Sequence, residues 1–143
     1  MYNALDIARY VIAHENECGR SVSNLRLQKL LYFIQVAFVS EYGPEHPCFS
    51  EPIEAWSFGP VVPCVYHAYK MFGSAGIPSS PHARNIRLQN ADKNMIDNML
   101  NDSARYSTSQ LVEISHHQTP WIEAHRNPFD NQITNESIAA YFQ

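Results

Sequence analysis

Glu113, His116 and His117 are the residues whose types and spacing come closest to an acid–base site. Offsets of three and four residues would place Glu113 and either histidine on one face of a helix. A positioned imidazole and carboxylate can transfer protons in hydrolysis, but general base catalysis also needs a nucleophile or a substrate pocket. Ser115 and Thr119 are nearby hydroxyls, yet no GxSxG turn presents a nucleophile. Helix capping and turn hydrogen bonding are therefore favoured, and we predict no catalytic residue and no enzyme.

His14 and Cys18 lie four residues apart and could share a metal on one helical face. A zinc site takes three or four protein ligands, and no CxxC or HxxxH pair accompanies these two residues. The glycines form neither GxxxxGK nor GxGxxG, so a phosphate-binding loop has no support. We therefore expect no metal and no cofactor.

Several aromatic side chains could instead serve as anchors for another protein. Trp56 and Phe58 are predicted to lie on the same face of a short strand. His67 is predicted to lie away from the apolar face of the helix that follows. Aromatic rings dominate the binding energy of protein interfaces, although core packing is the open alternative for these rings. The candidate partner-binding residues are Trp56, Phe58, Tyr66 and His67, together with the loop over residues 74–80.

The elements that must position these residues are mainly helical. Apolar residues recur at helical spacing in about six segments. The second segment begins after the cap residue Ser23 and ends at Gly43, and it is apolar over most of its circumference. We therefore predict a mainly α fold in which about six helices surround this central apolar helix.

A small β element is also predicted. Residues 53–58 alternate in a way that favours a short strand, and residues 86–88 are a candidate second strand. Gly59 and Pro60 are predicted to turn the chain, and Pro63 suits the first turn of the next helix. The sequence thus predicts a two-stranded element attached to the helices.

The overall composition excludes several classes of protein. The 143 residues suit a single domain, 1–143, that can bury about 70% of its unfolded surface. The net charge is −4, and the two halves of the chain each carry five Lys or Arg and seven Asp or Glu. No basic block is present to neutralise phosphates, and the third helix offers one Lys and no Arg, which disfavours nucleic-acid binding.

The expected location follows from the same composition. The three cysteines form no CxxC and are expected to be reduced thiols. No signal peptide is recognised at the start, and no apolar run is long enough to cross a membrane. We expect a cytoplasmic protein that does not associate with membranes.

Three ordered motifs resemble one known family over residues 4–142. They are LRLQKLLYFIQ, EPIEAWSFGPVVPCVYHAYK and SHHQTPW, and the pattern is similar to the SocA-like, or Panacea, antitoxin domain of phage-associated proteins. The matching positions are residues 29–33, Ala55, Trp56, Gly59, Pro60, Val61, Val65, Tyr66, His116, Pro120 and Trp121. Ser115 stands where the family usually has Thr, and it retains the hydroxyl.

The resemblance implies a bacterial or prophage antitoxin, mostly helical, that neutralises a separately encoded protein toxin by direct contact. In at least one branch of the family, it implies a proteolytic adaptor that delivers the toxin to a protease. Some relatives carry an added DNA-binding domain, for which this chain has no room. The alternatives are a small hydrolase that uses Glu113, His116 and His117, and a DNA-binding regulator.

Overall fold

A computed structural model describes residues 1–143 as seven α-helices, two 3₁₀ segments and three short strands. The mainly α prediction is confirmed, with seven helices where about six were expected. The helices are α1 (Ala4–Glu17), α2 (Asn24–Tyr42), α3 (Pro63–Tyr69), α4 (Asn90–Ser103), α5 (Thr108–His116), α6 (Thr119–Arg126) and α7 (Asn135–Tyr141). The strands are β1 (Ile53–Trp56), β2 (Gly59–Val61) and β3 (Gln132–Ile133), and the 3₁₀ segments are Lys70–Phe72 and Pro81–Asn85.

Helix α2 is central, as its composition predicts. It packs against α1, α3, α4, α5, α7 and β2. The Ser23 side chain accepts a hydrogen bond from the Arg26 amide at its start, and Gly43 ends it with a φ of 93°. Because the other elements surround α2, even polar side chains along it are buried.

The three strands form one antiparallel sheet in the order β2-β1-β3. Ile53 and Ala55 of β1 are buried, while Glu54 and Trp56 are half-buried on the other face. Trp56 pairs with Gly59 across the hairpin, so the turn consists of Ser57 and Phe58. The β1–β2 connection is therefore a hairpin with its tip at these two residues.

Three details of the β prediction are wrong. Gly59 and Pro60 lie in β2 and do not form the turn, and residues 86–88 are irregular and pair with no strand. The third strand, β3, is a two-residue segment near the end of the chain. A proline lacks the amide that a strand interior needs, but β2 is an edge strand, where Pro60 is tolerated.

The hairpin packs on α2 through a buried lysine. Lys29 has no exposed surface, and its Nζ donates a hydrogen bond to the Pro60 carbonyl oxygen at 2.6 Å. The Ser115 hydroxyl of α5, also fully buried, donates to the Val112 carbonyl at 2.7 Å. Gly59 of β2 lies beside both Lys29 and Ser115, so the hairpin packs against α2 and α5.

Gly59 leaves no room for a side chain at this contact. A β-carbon there would lie 2.9 Å from Ser115 Oγ, 3.1 Å from Lys29 Cε and 3.2 Å from Lys29 Nζ. Its φ of 102° is also a conformation that side-chain-bearing residues rarely adopt. Both the backbone conformation and the close approach therefore require glycine.

A second polar contact fixes the loop that precedes β1. Buried Gln35 donates from Nε2 to the Phe49 carbonyl at 2.8 Å, and its Oε1 accepts from the Cys48 amide at 2.8 Å. Cys48 and Phe49 are themselves fully buried. One side-chain amide thus satisfies backbone groups that the loop cannot pair by itself.

Covalent cross-links do not contribute to the fold. Cys18 and Cys64 are exposed, Cys48 is buried, and all three are free thiols. Burial raises the pKa of the Cys48 thiol, which keeps it protonated.

None of the helices has the length and apolar character that crossing a bilayer requires.

We predict that Gly59→Ala destabilises the protein by about 2–4 kcal/mol, from backbone strain plus overpacking against Lys29 and Ser115. Gly19→Ala is the control, because Gly19 also has a positive φ of 74° but nothing within 4 Å of an added β-carbon. The control should lose only the strain component, about 1–2 kcal/mol. Urea denaturation measures both, and equal losses would contradict the close contact.

We also predict that Gln35→Met lowers the free energy of unfolding by about 2–5 kcal/mol, because the Cys48 amide and the Phe49 carbonyl would remain buried without partners. The control is Gln89→Met, whose exposed side chain makes no hydrogen bond and should change stability by less than about 0.5 kcal/mol. Thermal and urea unfolding provide the comparison. A loss at position 35 no larger than the control would show that water satisfies these groups.

Candidate partner-binding site

The hairpin and α3 bring three of the predicted contact residues together. The Trp56 ring lies 5.0 Å from the Tyr66 ring and 6.4 Å from the His67 ring, measured between centroids. Trp56 also donates from Nε1 to Glu54 Oε1 at 2.9 Å. Trp56 and Tyr66 are half-buried, whereas His67 is exposed as expected for its position on the helix. These rings form a rigid aromatic cluster that is partly open to solvent.

Trp121 joins α6 to the hairpin. Its Nε1 donates to the Trp56 carbonyl at 2.9 Å, so the two tryptophans of the chain meet at one place. The indole ring packs near His116 and His125, with centroid distances of 4.1 Å and 4.5 Å. Trp121 is half-buried, and its hydrogen bond ties α6 to the end of β1.

Phe58, at the hairpin tip, is the predicted residue most available to a partner. It is 66% exposed, although its side chain is large and apolar. A shallow cleft of about 440 Å³ lies beside it. The cleft is lined by Ala55, Trp56, Ser57, Phe58, His125 and Asn131.

Phe129 was missed by the sequence analysis. It is 97% exposed and lies two residues before Asn131, whose carbonyl accepts a hydrogen bond from the Ala55 amide. A phenylalanine within the polar segment 127–132, directly after a helix, was the available signal. The pairing of β3 with β1 brings this segment to the cleft. We call the surface made by Trp56, Phe58, Tyr66, His67, His125 and Phe129 the hairpin face.

The side chains considered for acid–base chemistry do not converge. His117 Nε2 and Glu113 Oε1 are 2.9 Å apart, but both side chains are largely exposed, at 75% and 69%. His116 instead packs against Trp121, and its Nε2 is buried without a hydrogen-bond partner. Ser115 is fully buried and donates to the backbone. Neither histidine is thus placed between Glu113 and a reachable hydroxyl.

The structure also does not assemble a metal site at His14 and Cys18 or a nucleic-acid-binding surface on α3. The His14 ring lies between carboxylates, with Nδ1 3.4 Å from Glu15 Oε2 and Nε2 3.6 Å from Asp97 Oδ1, whereas Cys18 is exposed. No group of three His, Cys, Asp or Glu side chains is arranged to hold a metal ion. Helix α3 contains no Lys or Arg, so it offers no cation to a phosphate backbone.

The loop over residues 74–80 is anchored to its neighbours. Ile77 is buried, and its amide donates to the Val22 carbonyl at 2.9 Å. Asn16 Nδ2 donates to the Ile77 carbonyl and to Ser79 Oγ, at 3.1 Å and 2.9 Å. These contacts hold the loop near α1, although most of its residues, other than Ile77, are exposed.

The three sequence motifs meet at the base of the hairpin. Lys29 from the first motif binds the Pro60 carbonyl from the second. Trp121 from the third motif binds the Trp56 carbonyl, again from the second. The motifs are therefore the parts of one packing arrangement that presents the hairpin face.

Comparison with known proteins agrees with this arrangement. Residues 27–122 match the family described as "Antitoxin SocA-like, Panacea domain". The chain is 36% identical over 112 residues to the protein named "Antitoxin SocA" from Caulobacter vibrioides (strain NA1000 / CB15N), a match that covers 70% of this chain. It spans 58% of that relative's own length. No solved structure matches the chain.

The family match includes most of the central helix, the hairpin, α3 and Trp121, whereas His125 and Phe129 of the hairpin face lie after its last residue. It extends over more than half of the chain, and the identity to the Caulobacter protein supports it independently. The chain therefore belongs to the SocA-like antitoxin family that is defined by the Panacea domain.

Proposed function

We propose that this protein is an antitoxin that neutralises a cognate protein toxin by binding it directly through the hairpin face. The observation that carries the proposal is the exposure of Phe58 and Phe129 on adjoining segments, at 66% and 97%. Membership of the SocA-like family supports the antitoxin role. The printed name of the Caulobacter relative points the same way.

The exposed rings supply the driving force for association. Burying one aromatic side chain removes about 150–250 Å² from water, which contributes roughly 4–6 kcal/mol at ~25 cal/mol/Å² before the costs of association. Trp56 is held by hydrogen bonds at its indole and its carbonyl, and it packs beside Tyr66. Little side-chain ordering is therefore needed there on binding.

Neutralisation by this route is occlusion. An interface of ordinary size buries about 1,200–2,000 Å², enough to cover the working surface of a small toxin. No bond is made or broken, which agrees with the dispersal of Glu113, His116 and His117. Delivery of the bound toxin to a protease would begin with the same contact. Occlusion and delivery differ in one measurable respect, because only delivery shortens the half-life of the toxin in the cell.

We place this interaction in the cytoplasm. Cys18 and Cys64 are exposed free thiols, which persist in a reducing compartment. The partner is therefore expected to be a cytoplasmic protein with an apolar surface that receives the two phenylalanine rings.

We predict that Phe58→Ala and Phe129→Ala each weaken toxin binding by about 10–100-fold, and that the double variant abolishes neutralisation. The assay is growth rescue when the chain is co-expressed with a candidate toxin from an open reading frame beside its gene, chosen because its expression alone stops growth, followed by a pull-down. Met71→Ala is the control, since Met71 is 78% exposed and lies outside the hairpin face.

Circular dichroism should show that the two single variants, the double variant and the Met71→Ala control all fold. If the double variant folds and still rescues growth as well as the wild-type chain, the hairpin face is not the docking surface. Trp56→Ala and His67→Ala extend the test to the cluster. If both retain folding and neutralisation, these two residues are not contacts.

A further inference from the structure

Lys29 is an unusual residue for the interior of a protein. It has no exposed surface and takes part in no ion pair with any of the carboxylates of the chain. Its Nζ has one hydrogen-bond partner, the Pro60 carbonyl of β2 at 2.6 Å. Lysines are almost never fully buried unless they are paired with a charge.

The single partner favours the uncharged amine. An ammonium group carries three N–H donors, and only one acceptor is present, so two donors of a charged Lys29 would be buried without partners. A neutral amine has one donor fewer and no charge to desolvate. Burial alone accordingly lowers the pKa of Lys29 to about 7.

No neighbouring charge offsets this burial. The other ionisable side chains on α2, β1 and α5 are Arg26, Tyr32, Glu41, Tyr42, Glu54, Glu113 and His116, with His117 directly after α5, and β2 contains none. Glu54 accepts from Trp56, Glu113 is paired with His117 at the surface, and Arg26 donates to the Ser103 and Tyr106 carbonyls. Desolvation is the only cause that acts on the amine.

We propose that Lys29 is the positioning residue of the hairpin face: its uncharged amine holds β2 against α2, and uptake of a proton releases the hairpin. The importance of this motion for toxin binding rests on the function proposed above, whereas the motion itself does not. Water can reach a protonated Nζ only if β2 moves away from α2. Phe58 and Trp56 move with it, because both belong to the same hairpin.

Amide hydrogen exchange of the free protein tests this inference without any toxin. We expect protection of the Trp56 and Val61 amides, corrected for intrinsic exchange, to fall by about tenfold or more from pH 8.5 to pH 6. The amides of α1 should change much less, since the release is local to the hairpin. In Lys29→Met, which cannot be charged, hairpin protection should be the same at both pH values.

Lys29→Arg is the reverse of Lys29→Met, because its side chain is always charged. A guanidinium stays charged throughout this range, so the hairpin should be weakly protected at both pH values. If this variant fails to fold, the comparison between the wild-type chain and Lys29→Met remains decisive. The wild-type chain and Lys29→Met differ only at residue 29, so a difference between their responses to pH is assigned to Lys29.

Global unfolding provides a second measurement with a definite sign. An unfolded lysine has a pKa of about 10.4, so between pH 7 and that value the unfolded chain binds more protons than the folded one. The folded state therefore gains stability as pH rises, and the unfolding equilibrium constant falls by up to about tenfold per pH unit. Lys29→Met should lack this dependence between pH 7 and 9.

Two results would overturn the inference: equal hairpin protection at pH 6 and pH 8.5 in the wild-type chain, or the same pH dependence in Lys29→Met. Loss of protection in α1 and the hairpin together would also contradict it, because that pattern is global unfolding. Since no toxin is used, these outcomes leave the antitoxin proposal standing. Failure of the phenylalanine variants to affect neutralisation would leave the Lys29 result unchanged.

Discussion

The structure depends on the burial of one primary amine between a helix and a hairpin. Lys29 must find an acceptor inside the protein, and the Pro60 carbonyl provides it. That contact brings β2 so close to α2 and α5 that Gly59 has no space for a side chain. The position of the hairpin, and of the aromatic rings that it carries, follows from this requirement.

Two other buried polar side chains of α2 also bind backbone groups of neighbouring segments. Gln28 accepts a hydrogen bond from the Val62 amide just before α3, and Gln35 binds both Cys48 and Phe49 in the loop before β1. Irregular backbone must satisfy its hydrogen bonds when it is buried. A central helix that is apolar on most sides but carries a few buried polar groups can therefore hold short, irregular segments in fixed positions.

This architecture suits a protein that acts by contact. The side chains capable of acid–base chemistry are either exposed in a surface pair, as in Glu113 and His117, or packed against an aromatic ring, as in His116. The two most exposed apolar aromatic rings, Phe58 and Phe129, by contrast, lie on segments that adjoin β1. The fold thus exposes an aromatic surface and does not assemble an acid–base site. This agrees with membership of an antitoxin family.

The sequence alone determined the helices, because apolar spacing and capping residues such as Ser23 and Ser107 act within a few neighbouring residues. It also indicated His67 as exposed, whereas it left open whether Phe58 is exposed or packed in the core. Only the tertiary structure decided that Gly59 and Pro60 form a strand, that β3 completes the sheet, and that the segment before β3, which carries Phe129, runs beside β1. These features depend on pairings between residues far apart in the chain, such as Ala55 with Asn131 and Lys29 with Pro60, and local periodicity carries no information about such pairings.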